Sequence, residues 1–178
     1  AAGRSGVMLP RPRLRGGAAG CTYVIHAHWP VCAAEEPQVE VEETAFPGGQ
    51  VRERIEYRLL SGRRVKHGTE ALFYENGQPR AEYHYQNGKR HGTWTEWYED
   101  GKKSAEGSYD QGRREGVETR WARGGNKLLE TAYKAGRKHG LSTEWYGPEQ
   151  KARETHYEAG QLDGALTVWY ASGQIKIE

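Results

Sequence analysis

GTWTEWYEDGKKSAEGSYDQGRRE, residues 92–115, decides the fold because the chain on both sides is written in the same pattern. Gly68, Gly92, Gly116, Gly140 and Gly164 stand 24 residues apart. The same step separates Phe73, Trp97, Trp121, Trp145 and Trp169, and also Glu82, Glu106, Glu130, Glu154 and Glu178. Tyr85, Tyr109, Tyr133 and Tyr157 keep it, as do Gly88, Gly112, Gly136 and Gly160. Registers that stay in phase without a gap over so long a stretch define a repeat protein, and that reading precedes any other.

Within one unit the hydrophobic pattern has period two, the signature of a strand with one face more protected than the other. Thr93, Thr95 and Trp97 share a face, and their counterparts stay small, β-branched or aromatic, Leu141 apart. Positions 94 and 96 vary freely, so the alternation predicts that they point outward. Asp100-Gly101 and Asn76-Gly77 are strong hairpin signals, because glycine accepts the positive φ that tight turns require. A second turn falls at Asp110-Gln111-Gly112. Each repeat is then one β-hairpin, and the whole is an all-β, elongated, single-sheet-like antiparallel meander. A lone hairpin is marginal in water and needs neighbours to cover it. Stacking predicts a structural core of Phe73, Trp97, Trp121, Trp145 and Trp169, partnered by Tyr85, Tyr109, Tyr133 and Tyr157. Each ring that is fully buried contributes roughly 2–3 kcal/mol of transfer free energy.

Composition agrees with a thin, turn-rich β structure. The chain has 178 residues, is 35% hydrophobic and holds 24 Gly, 6 Trp and 11 Tyr against 2 Phe and 1 Met. A formal charge of +2 is too small to name nucleic acid as a partner. No apolar run is long enough for a transmembrane helix.

Residues 1–37 read differently from the repeat region, 38–178. AAGRSGVMLPRPRLRGG is rich in Arg, Gly and Pro and lacks periodicity, the composition of a disordered arm. From Met8 onward, however, Arg11, Arg13 and Arg15 precede a mildly apolar stretch, 16–33, and small residues before Glu35. That is the layout of a degenerate signal peptide cleaved after Ala34. Export or a periplasmic location follows if segment 8–34 is such a signal, and a cytoplasmic one if it is not. Cys21 and Cys32 are the only cysteines. They would pair only in an oxidising compartment, and Cys21 is a weak candidate for lipid anchoring. From Gln38, QVEVEET alternates as a strand, Pro47-Gly48-Gly49 turns the chain and Val51–Leu60 returns. This is an atypical first hairpin of the kind that caps repeat arrays.

The unit G-x4-W-Y-x2-G-x4-E-x2-Y-x2-G, carried by Gly92, Trp97, Tyr98, Gly101, Glu106, Tyr109 and Gly112, resembles the bacterial variant of the MORN repeat. Proteins carrying it are often labelled antitoxins of the YwqK type. The resemblance spans about 49–178 and implies about six hairpins, the first atypical and the last truncated, forming an elongated scaffold that binds proteins and, in some eukaryotic members, phosphoinositides. Two positions depart from the pattern. Ala122 replaces the Tyr of the other copies and Glu149 the turn glycine, so the turn is expected at Gly147-Pro148.

No enzyme signature emerges, and no cofactor or metal is expected. Paired carboxylates can do acid–base chemistry, but a glutamate repeated in every hairpin is better read as a rung in a ladder of cross-strand ion pairs with the neighbouring lysines. His67, His91 and His139 share one register and His84 and His156 another, which spreads them along the stack instead of converging them on a metal.

Function therefore rests on surface. Two candidates stand out for a partner. One is an outward aromatic stripe of Tyr74, Trp94, Tyr98, Tyr146 and Tyr170. The other is the C-terminal edge strand with Ile175 and Ile177, an apolar template for strand addition or self-association. The favoured class is a non-enzymatic scaffold for a protein partner, antitoxin-like in its narrowest form. The alternative is an exported or envelope-associated module that touches lipid or glycan through the aromatic stripe and through basic turns, Lys89-Arg90-His91 and Arg137-Lys138-His139, that suit anionic head groups.

Overall fold

A computed structural model describes residues 22–25 and 39–177. Met8, Cys21, Cys32, the Ala34 cleavage site and the last glutamate rung, Glu178, lie outside the described residues. Those described form one 14-stranded antiparallel sheet. Its strands are β1 (Thr22–Ile25), β2 (Val39–Ala45), β3 (Val51–Leu60), β4 (Arg63–Phe73), β5 (Pro79–Gln86), β6 (Lys89–Trp97) and β7 (Lys103–Asp110). They continue as β8 (Arg113–Arg114), β9 (Gly116–Trp121), β10 (Lys127–Lys134), β11 (Arg137–Gly147), β12 (Gln150–Glu158), β13 (Gln161–Trp169) and β14 (Ile175–Ile177). Neighbours in sequence are neighbours in the sheet, except that β8 pairs back onto β7 beside β9. The meander read from the sequence is the observed fold.

The expected first hairpin is β2 with β3. Within the stretch expected to be without regular structure, β1 pairs antiparallel with β2. Thr, Tyr, Val and Ile are strand-favouring residues, and they cover what would otherwise be the open edge of β2.

Two kinds of turn alternate along the two margins of the sheet. At the hairpin turns Tyr98 N–H donates to Lys102 O and Gly101 N–H to Tyr98 O, at 2.8 and 2.9 Å. The connecting turns have two residues, and Asn87 and Gly88 take φ of 51° and 82°, the doubly positive pair of a type I′ turn. Successive connecting turns are tied to one another. Gly88 N–H donates to Lys66 O, Gly112 to Arg90 O, Gly136 to Arg114 O and Gly160 to Lys138 O, each at 2.7–2.8 Å. The fifth hairpin turn differs from expectation: Gly147 stays in β11, paired with Gln150, and Pro148-Glu149 make the turn with Glu149 at φ 58°.

The glycine that opens each unit forms a bulge. On β5, His84 alone lies between the paired residues Tyr83 and Tyr85, whereas on β6 three residues, 91–93, lie between Trp94 and Arg90. Gly92 takes φ 89° in the middle of that excess. An L-side chain there would meet the left-handed penalty of about 1–2 kcal/mol, which explains why this register admits only glycine.

A single open sheet has no interior on either side, and this corrects the inward/outward assignment. Trp94, expected outward, is 5% exposed, while Thr93 is exposed and Trp97 half-buried. Strand pairing gives the reason. Trp94 lies between Tyr83 and Gly107 on the neighbouring strands. Its ring stacks on Tyr83 at 6.2 Å and meets Tyr109 at 6.3 Å. Gly107 leaves it room: a Cβ there would approach Trp94 Nε1 to 2.9 Å. The expected core residues do line up in rows, but on opposite faces and only half-buried. Phe73, Trp97, Trp121, Trp145 and Trp169 belong to one face, Tyr85, Tyr109, Tyr133 and Tyr157 to the other. The most buried residues are instead Ile55, Ala81, Trp94 and Ala105 with polar neighbours such as Glu118, Thr131, Ser142 and Thr155. Thr131 and Ser142 share a hydrogen bond between their hydroxyls at 2.8 Å.

Candidate interaction surfaces

On the tyrosine face a basic column, unrecognised in the sequence reading, interleaves with the rings. Lys66, Arg90, Arg114 and Lys138 lie 4.8–5.5 Å from the ring centres of Tyr85, Tyr109, Tyr133 and Tyr157 respectively. Cation–π contacts of this kind contribute about 0.5–1 kcal/mol each at exposed sites. The column was legible, since 66, 90, 114 and 138 are a further 24-residue register. Buried carboxylates complete the face. Glu70 pairs with Lys66 and accepts from Tyr85 Oη at 2.7 Å, and Glu118 pairs with Arg120 at 2.9 Å. Burial, and the hydrogen bond it donates to Glu96 at 2.5 Å, push the Tyr83 phenol well above its ordinary range.

The tryptophan face carries the glutamate column. Its ion pairs were expected across strands; they run along a single strand, Lys103–Glu106 at 2.7 Å, Lys127–Glu130 at 2.5 Å and Lys151–Glu154. The cause is the register shift after Glu96 and its equivalents, which turns the lysine onto the glutamate's face. The same lysines reach the next copy, with Lys127 and Lys151 each 5.8 Å from the ring centres of Trp145 and Trp169.

The expected aromatic stripe divides. Trp94 is buried, as described. Tyr74 and Tyr98 are half-buried, and each donates a hydrogen bond to the next hairpin, Tyr74 to Trp97 O at 2.8 Å and Tyr98 to Trp121 O at 2.7 Å. Tyr146 makes the equivalent bond to Trp169 O at 3.1 Å yet is 55% exposed, and Tyr170 is 50% exposed. At β14, Ile175 and Ile177 are both about half exposed.

Two features of the tryptophan face go beyond the expectations, the second gathering Arg137 and His139 of the expected basic turn while Lys138 packs on Tyr157 of the other face. Val117, Ala132 and Leu141 adjoin one another on β9, β10 and β11, and Val117 and Leu141 are 53% and 48% exposed. Thr93 and Ser108 hold the same registers one repeat earlier, so the row turns apolar only here. Further along the same strands, at the connecting turns, a depression of about 640 Å³ is lined by Arg113, Lys134, Arg137, His139 and Glu158 over a floor of Ala135, Gly136 and Ala159. His139 faces Glu158 and His91 faces Asp110, both at 3.2 Å. His84 and His156 bond to backbone carbonyls of Thr93 and Asp163. Among the described residues no group of three or more His, Cys, Asp or Glu is placed to hold a metal.

Two segments, 66–87 and 90–111, match the family described as MORN repeat variant. Each begins in the strand after one connecting turn, ends in the next connecting turn and contains one hairpin turn. No curated protein matches the chain significantly. The matched segments thus carry MORN-variant repeats, which are generally non-enzymatic modules that mediate protein or membrane interactions. The later copies hold the same backbone pattern through β14.

Proposed function

We propose that this protein is a repeat scaffold that binds a protein partner through its tryptophan face, with an antitoxin-like role, in which the partner is a small toxic protein, as the narrowest form of that reading. The observation that carries it is the exposed apolar row Val117–Ala132–Leu141. Nothing in the fold calls for apolar side chains at these positions, since polar residues occupy the same registers in the preceding repeat. Exposed apolar residues that adjoin one another are the mark of an interaction site. The half-exposed tryptophans beside them extend the surface with the residue type that most often anchors interfaces.

A lipid- or glycan-binding stripe has less support, because Tyr74 and Tyr98 are occupied in joining hairpins and Trp94 is enclosed. Affinity capture from the native cell, with the wild-type chain and Val117→Glu/Leu141→Glu run in parallel, tests the proposal. The double variant is expected to retain its unfolding midpoint and lose the captured proteins. Equal capture by both would refute it. For the antitoxin-like form, co-expression with a captured small protein should relieve growth arrest caused by that protein alone.

Self-association through β14 belongs to the same proposal, motivated by Ile175 and Ile177 on the last strand described. Light scattering would show a dimer for the wild type and a monomer for Ile175→Lys/Ile177→Lys; a monomer for both removes it.

A further inference from the structure

We infer that the depression between the connecting turns at Ala135-Gly136 and Ala159-Gly160 receives a phosphorylated side chain of the protein partner, held by Arg113, Lys134 and Arg137. This rests on the proposed partner-binding role of the tryptophan face and adds the chemistry that the partner must present.

The charges at this margin are divided unequally. Asp110 faces His91 at 3.2 Å, Glu158 faces His139 at 3.2 Å, and a Glu115 carboxylate oxygen accepts from Ala135 N–H at 2.8 Å. The acids therefore have partners. Arg113, Lys134 and Arg137 are exposed, and among the described residues none has an ion pair or a ring beneath it. Lys134 and Arg137 are cross-strand partners, so their side chains leave the same face. The Arg113 side chain lies along the next turn, with its Cβ and Cγ 3.5 and 3.7 Å from where a Cβ on Gly136 would stand. The floor is open because Ala135 and Ala159 occupy positions held by Asn87 and Gln111 in earlier turns, and both do so at φ 50°.

Three cations around one open floor match a phosphate monoester better than a single carboxylate. The monoester carries about 1.5 to 2 negative charges and three acceptor oxygens, and arginine forks bind such oxygens in pairs. A membrane surface fits less well. Asp110 and Glu158 flank the cations with side chains 63% and 59% exposed, and an anionic plane would meet both, whereas one inserted side chain meets three bases and the single carboxylate of Glu158, which His139 faces at 3.2 Å.

The apolar row lies on the same face of the same strands. β11 bulges at Gly140, so its five steps from Arg137 to Ser142 match only three on β10, Lys134 to Thr131, and Leu141 stands about two strand residues, roughly 7 Å, beyond Arg137. An extended partner segment spans that distance with a large apolar residue two positions from its phosphorylated one, on the same face of the segment.

The test uses the intact protein and a fluorescein-labelled hexapeptide with a leucine two positions from a phosphoserine. Anisotropy should give at least tenfold tighter binding than for the unphosphorylated peptide, and Arg113→Gln/Arg137→Gln should abolish that difference without moving the unfolding midpoint. Equal affinity for the two peptides, or an unchanged phosphate preference in the variant, would overturn the inference. So would preferential binding to phosphoinositide-containing vesicles at the same phosphate concentration, which would assign the cations to a membrane. If Arg113→Gln/Arg137→Gln still captures every partner that Val117→Glu/Leu141→Glu loses, the phosphate site fails and the partner-binding role stands.

Discussion

Residues in this array show where one copy departs from the others at a cost. Ala135 and Ala159 sit at φ 50° in two-residue turns whose earlier counterpart is Asn87. Asparagine tolerates that conformation better than alanine does. Ala135→Asn and Ala159→Asn should each raise stability by about 0.5–1 kcal/mol, read as a rise in the urea midpoint at constant slope. No gain from either would mean the turns relax without strain. The second departure is the pair Trp94 and Gly107. The residues in register with Gly107 in the next two copies are Thr131 and Thr155. Gly107→Thr should cost about 1–3 kcal/mol by overpacking against the indole. Adding Trp94→Ser, the residue in register at Ser142, should recover part of that loss, and strictly additive effects would show that the two side chains do not interact.

Elements are joined here by devices that the repeat multiplies. The connecting turns hydrogen-bond one to the next, the basic residues pack on tyrosine rings, and the tyrosine ending each outgoing strand donates to the tryptophan carbonyl of the following hairpin. One such link is missing where Ala122 stands. Ala122→Tyr should supply a bond to Trp145 O and stabilise by about 1 kcal/mol, the net value of one such bond, while Tyr98→Phe should lose as much. Amide exchange localises both effects: slower exchange confined to β9–β12 for the first, faster exchange across β6–β10 for the second. Changes spread evenly over the sheet would instead mean that the array unfolds as one unit.

For the whole molecule the titration behaviour has one direction. Burial and then the Glu42 charge raise the Tyr57 pKa, and burial and the Glu96 bond raise that of Tyr83. Burial opposes protonation of Lys66, but its pairing with Glu70 outweighs this and the pKa rises. All three groups hold their protons more tightly folded than unfolded. Their contribution is therefore fully present below about pH 10, the ordinary tyrosine value, and is lost as pH rises through the folded values. The urea midpoint should fall as the pH rises above about 10, with a slope per group below about 1.4 kcal/mol per pH unit because each is partly solvated. Tyr83→Phe should flatten that fall, and an identical pH profile would remove Tyr83 as a contributor.

How much was legible in the sequence follows from what each rule depends on. Local backbone demands recur with the repeat, so Gly92, Gly101 and Asn87-Gly88 announced bulge, turn and connecting turn, and the meander followed. Depth of burial depends on which strands lie alongside, and the 24-residue period says nothing about that. Trp94 looked exposed because its register varies, yet that register is enclosed in copy after copy and varies because each copy fills it differently, with Glu70, Glu118 or Ser142. The basic column behind the tyrosines was in phase all along and went unread because charge is ordinarily assigned to solvent. The apolar row could not be read at all, since it draws on residues from separate strands, and of the basic depression only Arg137 and His139 of one basic turn were legible, because Arg113 and Lys134 come from the neighbouring strands. The sequence alone thus determined the repeat, its turns and its open antiparallel sheet. Only the tertiary structure decided which face each row occupies, because the bulges and register shifts that set it act between strands.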